Sequence, residues 1–298
     1  MIYKIERIYQ KGSRDINEDA YVMNKEDGIF AVIDGATGVG GLSGIIASNI
    51  IRDAMLREDG NLLERVLKGN VILGEKAVVT LGEAGIKKIG DIPKYKRSSC
   101  SLAAIQLPLS GLKMKYVTAG DCLLFIQYKN NEIRQVNHDH VAPLDSFGIH
   151  LAQTEWRKYV SENEDPNKWG LYEINQTTKA ILEAVHDTLQ QNRNKMNTSE
   201  GYGIIDGSEE VDEFLESGVI PLINVKKILL LSDGLRVHSN RNQVIENEWL
   251  YSAKLAFEHG LSYLEKTIMD IEINDLACYQ YPRFKQHDDK TGLLIHLG

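Results

Sequence analysis

Acidic residues recur at the ends of otherwise apolar runs in this 298-residue chain. Asp34 closes IFAVID, Asp121 follows YVTAG, Asp233 closes ILLLSD, and Asp288 with Asp289 opens into KTGLLIHL. A side chain at a strand end projects from the rim of a rigid sheet, so four such carboxylates can converge. Their repulsion at short range would be on the order of several kcal/mol in a partly buried site, and cations or protons must relieve it. Hard oxygen ligands select Mg2+, Mn2+ or Ca2+, whereas zinc recruits His and Cys at spacings absent here. A magnesium or manganese site is therefore expected. Each Asp-Gly pair, at 34-35 and 233-234, also reads as a plain turn in which Gly supplies a positive φ and Asp caps its own backbone. The positions of the carboxylates alone leave both readings open.

The elements that would carry these residues follow from apolar periodicity. Short apolar or alternating runs predict strands at 2–9, 29–33, 100–107, 113–118, 123–128, 202–205, 227–231 and 292–297. Gly120-Asp121 and Leu109-Ser110-Gly111 separate consecutive strands too closely for crossover helices, so that part of the sheet is expected to be antiparallel. Helical periodicity spans 42–57, 61–84, 174–191 and 249–271; in the third, Ile174, Ile181, Leu182, Val185 and Leu189 share a face. Helices in blocks between blocks of strands favour an α+β layered architecture over a doubly wound parallel sheet. The polar segments 162–168 and 190–200 read as mobile loop or the rim of an insertion.

A net charge of −8 and a short, glycine-broken basic stretch at 87–97 argue against nucleic-acid binding, which rests on clustered Lys and Arg. Three cysteines, Cys100, Cys122 and Cys278, lie without paired spacing in or beside apolar runs, as reduced buried thiols do. No run approaches the roughly 20 apolar residues that span a bilayer, and the first residues lack an apolar signal core. A cytoplasmic, monomeric protein that binds no membrane is expected. Only six prolines, no low-complexity tract and no internal repeat point to one domain over 1–298.

In sequence order, these segments resemble the motifs of the protein phosphatase 2C (PPM) family of metal-dependent serine/threonine phosphatases. Arg14-Asp15-Ile16-Asn17-Glu18-Asp19-Ala20 is similar to the family's Arg-x-x-x-Glu-Asp-Ala, and Asp34-Gly35 to its metal-bridging Asp-Gly. The run 99–105 resembles its small-residue strand, Ala119-Gly120-Asp121-Cys122 its Gly-Asp-Ser, and Asn137-His138-Asp139-His140 its Asp-His segment. Ser232-Asp233-Gly234-Leu235 and Asp288-Asp289-Lys290-Thr291 resemble its last two signatures.

The resemblance implies a four-layer αββα sandwich: two antiparallel sheets face to face, with helices on both outer sides. It implies two or three Mn2+ or Mg2+ ions per chain. Asp34 would bridge two of them, with the Gly35 carbonyl, Asp233, Asp288 and Glu18 completing their shells. Asp19 would support metal-bound water, and Asp121 with Asp233 would hold a third, weaker ion. Arg14 would grip the substrate phosphate, a role suited to a planar guanidinium. With Arg14, Asp34 and Asp233 as the catalytic set, the implied reaction is direct attack on a phosphoserine or phosphothreonine by water shared between two cations. The substrate would be a phosphoprotein made by a Ser/Thr kinase, and the segment around 145–201 would be a flap near it.

The chain departs from the pattern after Asp34-Gly35, where the family often carries His and Gly but this sequence reads Ala36-Thr37-Gly38-Val39-Gly40-Gly41. The imidazole sometimes assigned to leaving-group protonation is absent, and Thr37 reads as a helix-start cap. Cys122 stands in place of Ser and reads as a packing residue. Two other function classes remain: a phosphatase-like scaffold that binds phosphoproteins without hydrolysis, and a nucleotide-binding module on the glycine-rich 35–41 loop. The latter lacks both the Lys-Ser/Thr of a P-loop and the dinucleotide spacing.

Overall fold

The computed structural model describes residues 3–83, 85–161 and 164–298. Two five-stranded sheets are built from the described residues, with every pairing antiparallel. The first sheet contains β1 (Tyr3–Gln10), β6 (Leu123–Tyr128), β7 (Ile133–Gln135), β9 (Val225–Leu231) and β10 (Lys290–Leu297), in the order β1-β10-β9-β6-β7. The second contains β2 (Ala20–Asn24), β3 (Ile29–Ala36), β4 (Ser99–Gln106), β5 (Lys113–Ala119) and β8 (Glu216–Pro221), in the order β2-β3-β4-β5-β8.

The central strands read as continuous apolar runs because both of their faces are covered. Phe30 and Val32 of β3 turn inward against Leu124, Ile228, Leu230 and Ile295 of the other sheet. Ile29, Ala31 and Ile33 turn outward onto α1 (Gly44–Arg57) and α2 (Leu62–Leu81), where Ile51, Met55 and Leu73 are fully buried. On the far side, Phe125, Leu229 and Leu294 pack on α6 (Glu248–His259) and α7 (Leu261–Asn274) through Trp249, Phe257 and Leu264. The result is the expected four-layer αββα sandwich.

Beside it, α3 (Ala142–Trp156) packs on α4 (Leu171–Arg193), and Trp156, Ile174 and Ile181 form a separate small core with Ala277. A short helix, α5 (Val211–Phe214), leads into β8.

The structure corrects the expected elements in four places. The 202–205 run makes only isolated bridges, Cys100 to Ile205 and Met196 to Tyr202, because the buried Asp206 carboxylate draws Arg97, Asn197 and Ser208 around itself and turns the chain away. The 249–271 helix is two helices, broken at Gly260, whose φ of +90° no helix accommodates. The 190–200 stretch is not all loop, since α4 continues to Arg193. Five strands or helices had no expected counterpart: β2, β7, β8, α3 and α5. The expected limits at residues 2 and 84, and residues 162 and 163 of the polar segment, lie outside the described residues.

Candidate active site

The strand-end carboxylates gather at one rim of the sandwich, supplied by both sheets. Asp34 lies in β3 opposite Ser101 of β4; Asp121 follows β5; Asp233 opens a turn directly after β9; Asp288 precedes β10. Asp19 stands just before β2 and is buried. Neither Gly35 nor Gly234 takes a positive φ. The first is required by close approach, since a Cβ there would collide with the backbone oxygens of Glu18 and Gly44. The plain-turn reading of this Asp-Gly pair therefore does not describe it.

The electrostatics of the group are those of crowded acids. Burial, then the Asp233 and Asp19 charges, push the Asp34 carboxyl well above the ordinary range. Asp233 is held low: burial opposes its ionisation, but Lys285, a hydrogen bond from the Asp34 carboxyl, and Arg236 outweigh it. Burial raises Asp19 to about 8 against the pull of the Thr291 hydroxyl, with the Asp288, Asp289 and Asp233 carboxylates adding to the rise; Ser232 Oγ donates to its Oδ2 at 3.1 Å. Asp121 is raised by burial and by Asp233 and Asp139, while Ser101 Oγ donates to its Oδ1 at 2.6 Å. Asp288 is raised by burial and Asp233 against the pull of Lys285, whose Nζ lies 2.6 Å from Asp288 Oδ1.

Glu18 stands apart from this group. Its Oε1 receives Thr37 Oγ1, Ser43 Oγ at 2.7 Å and the Gly44 amide at 2.9 Å, and its Oε2 takes Arg14. It ties the 37–44 loop and the start of α1 to the Arg14 loop. Thr37 also accepts the Gly44 amide at 2.9 Å, whereas Ser43 holds the N-cap position. Exposed Arg14, Asp34, Asp121 and Asp233 border one cleft of about 270 Å³. Cys122 is fully buried between the sheets, a packing residue. His287 is turned to Glu272, with Nδ1 3.0 Å from its Oε2.

Three residues of the cleft were not found by sequence reasoning. Arg193, in the last turn of α4, reaches Ser99 Oγ at 3.0 Å and the Ala36 and Arg97 carbonyls at 3.4 and 3.3 Å. Its Nε is buried without a partner on the cleft wall. Asp145, in the first turn of α3, is pushed up to about 7 by burial and the Asp233 charge. Lys285 comes from the segment between α7 and β10. No motif or periodicity marks these three; only the tertiary fold brings them in.

Among the described residues, no three His, Cys, Asp or Glu side chains are set to close round a single ion. The donor set nevertheless fits hard divalent cations: it is all oxygen, it is crowded with negative charge, and Asp19 Oδ1 and Asp233 Oδ1 are buried with no hydrogen-bond partner.

No family model matches the chain, and no curated protein matches it. Solved structures do. The serine/threonine phosphatase PstP/Ppp of Mycobacterium tuberculosis is 17% identical, with 100% of this chain and 99% of that one covered and a TM-score of 0.52. A structure of the PstP catalytic domain in complex with two manganese ions is 16% identical over 99% of this chain and 97% of that one, with a TM-score of 0.53. The serine/threonine phosphatase Stp1 of Staphylococcus aureus is 17% identical over 100% of this chain and 96% of that one, with a TM-score of 0.53. The chain has the fold of these bacterial phosphatases along its whole length.

Proposed function

We propose that this chain is a divergent member of the protein phosphatase 2C (PPM) family, a metal-dependent phosphatase acting on phosphoserine and phosphothreonine of proteins. The observation that carries this reading is the meeting of Asp19, Asp34, Asp121, Asp233 and Asp288 beside Arg14, with two buried carboxylate oxygens left without partners. Asp34, Asp233, Asp288 and the Gly35 carbonyl would hold two Mn2+ or Mg2+ ions, with Asp19 supporting them and Asp121 and Asp233 offering a third, weaker place. Bound there, divalent ions would supply an activated water for direct attack at phosphorus and would neutralise phosphoryl oxygens.

The chain's own groups prepare that chemistry. Burial and the neighbouring Asp233 and Asp19 charges hold the Asp34 carboxyl against ionisation, and a cation beside it would favour the ionised form. Arg14, anchored to Glu18 yet exposed, offers its remaining donors to a phosphate in the cleft, and Arg193 faces it from α4. The segment around 145–201, mainly α3 and α4, forms a flap of a single 1–298 domain and contributes Arg193 and Asp145 to the cleft wall. The substrate class is a phosphoprotein made by a cytoplasmic Ser/Thr kinase, and the chain acts as a monomer.

The test is hydrolysis of p-nitrophenyl phosphate and of a phosphothreonine peptide with EDTA, Mg2+ or Mn2+, in the parent chain and in Asp34→Asn and Asp233→Asn. Metal-dependent release lost in both variants supports the proposal. Metal binding without release selects the second reading, a phosphoprotein-binding scaffold, which the Lys285–Asp288 ion pair and the Ala36 that stands where the family often has His favour.

A further inference from the structure

The segment that carries Lys285 is built to hold it in place. Asp275, at the end of α7, is 1% exposed and accepts the amides of Tyr279 and Gln280 at 3.0 Å and that of Tyr281 at 2.8 Å. Arg283 closes the loop, with Nη1 2.9 Å from Asp275 Oδ2 and Nη2 2.6 Å from the Asp275 carbonyl. On one side of Lys285, Phe284 packs against Gly148 of α3; on the other, Gln286 donates to the Leu276 carbonyl at 2.9 Å.

From that position the Lys285 ammonium reaches Asp288 Oδ1 at 2.6 Å and faces the Asp233 and Asp34 charges. Lys285 lines the Arg14 cleft and also a second chamber of about 160 Å³ bounded by Asp145, Asp233, Asp288 and Glu272, so it stands on the partition between them. Its side chain is 40% exposed, which leaves it a path out without unfolding the loop. A primary ammonium is a compact, strongly hydrated point charge on a flexible stem, close in role to a small cation.

We propose that Lys285 is a tethered cation of the carboxylate centre, holding Asp288 in the place of a divalent ion, and that an ion gains Asp288 only by displacing this ammonium. The inference rests on the metal reading above. It makes the occupancy of the Asp288 position depend on free divalent cation concentration, because every binding event there breaks a charge-assisted hydrogen bond first. The positions at Asp34 and Asp121, which Lys285 does not bond, carry no such cost.

Mn2+ titration by calorimetry of the parent chain, Lys285→Met and Lys285→Arg tests this. The Met variant is expected to bind one Mn2+, the ion at Asp288, roughly tenfold more tightly, the worth of one charge-assisted hydrogen bond, while the Arg variant stays near the parent. On the parent chain, acetic anhydride labelling of Lys285, read by mass spectrometry, should rise when Mn2+ is added. This second measurement needs no variant, so it decides the matter even if Lys285→Met does not fold. Unchanged or weaker Mn2+ binding by a folded Met variant, or labelling insensitive to Mn2+ in a parent that binds it, overturns the inference alone. A parent and variants that bind no Mn2+ overturn the metal reading and this inference with it.

Discussion

Asp289 accepts the backbone amide of Glu18 at 2.8 Å across 271 residues of sequence. Its other carboxylate oxygen takes the Gly12 amide at 2.7 Å, so one buried side chain clasps both ends of the loop that carries Arg14. Removing it leaves two backbone donors unpaired. Asp289→Ala is expected to cost about 2–4 kcal/mol in denaturant unfolding and to raise KM for a phosphopeptide. Asp289→Asn keeps one acceptor and should lie between. A variant that matches the parent in both measurements would show that the loop is held by something else.

Asp34→Asn and Asp233→Asn should each lower metal-dependent hydrolysis by at least about 100-fold. Without metal, Asp34→Asn should melt at or above the parent temperature, because burial and the Asp233 and Asp19 charges oppose ionisation of that carboxyl, whereas Asp233→Asn should melt below it, because Lys285 and Arg236 favour the ionised form there. A purely structural role for Asp34 predicts the opposite change in its melting.

The metal-free protein should lose stability as pH rises from 6.5 to 8.5. In the unfolded chain, carboxyls ionise near pH 4. In the folded chain Asp145 is pushed up to about 7 and Asp19 to about 8, chiefly by burial. The folded state therefore binds more protons across this window, so unfolding becomes easier with rising pH. His238, pulled down to about 3 by burial and the Arg236 charge, is neutral in the folded chain throughout; in the unfolded chain it is half protonated at pH 6.5, which offsets part of the trend there, and neutral above about pH 7.5. Thermal melts at four pH values, with and without Mn2+, check this; saturating Mn2+ should flatten the trend.

Arg14→Ala and Arg193→Ala should each weaken inhibition by inorganic phosphate roughly tenfold while leaving Mn2+ affinity close to that of the parent. Lysine at either position should restore only part of the loss, since an ammonium cannot reproduce the paired guanidinium bonds. If Arg193→Ala changes only stability, its bonds to Ser99 and the Ala36 and Arg97 carbonyls are its whole role.

What the sequence shows and what it hides divide along physical lines. Strands such as β3, β6 and β9 announce themselves because both faces are buried and few polar residues interrupt them. β8 is an edge strand carrying Gly218 and ending at Pro221, a composition that reads as a turn. β2 is five residues long and follows directly on the acidic motif, which leaves too little alternation to detect. Only Gly148 and Trp156 of α3 are buried, so it shows little apolar periodicity. The clustered aspartates were visible because strand ends mark them, whereas nothing in the local sequence aims Asp145, Arg193 or Lys285 at the cleft; for Arg193 the periodicity of α4 marks a helix, not what its last turn reaches. Glu18 illustrates a different limit: its motif was legible, but the bonds to Thr37, Ser43 and Gly44 that occupy its oxygens exist only in three dimensions.

The pairing of β1 with β10 closes the first sheet with the two ends of the described chain. Asp288 and Asp289 enter only with that last strand, one joining the carboxylate rim and the other fastening the Arg14 loop. A ribosome must therefore release the chain through β10 before the rim can be assembled. Any product truncated ahead of Asp288 lacks both the acid and the clasp, so translation past this point is a condition for the site to exist at all.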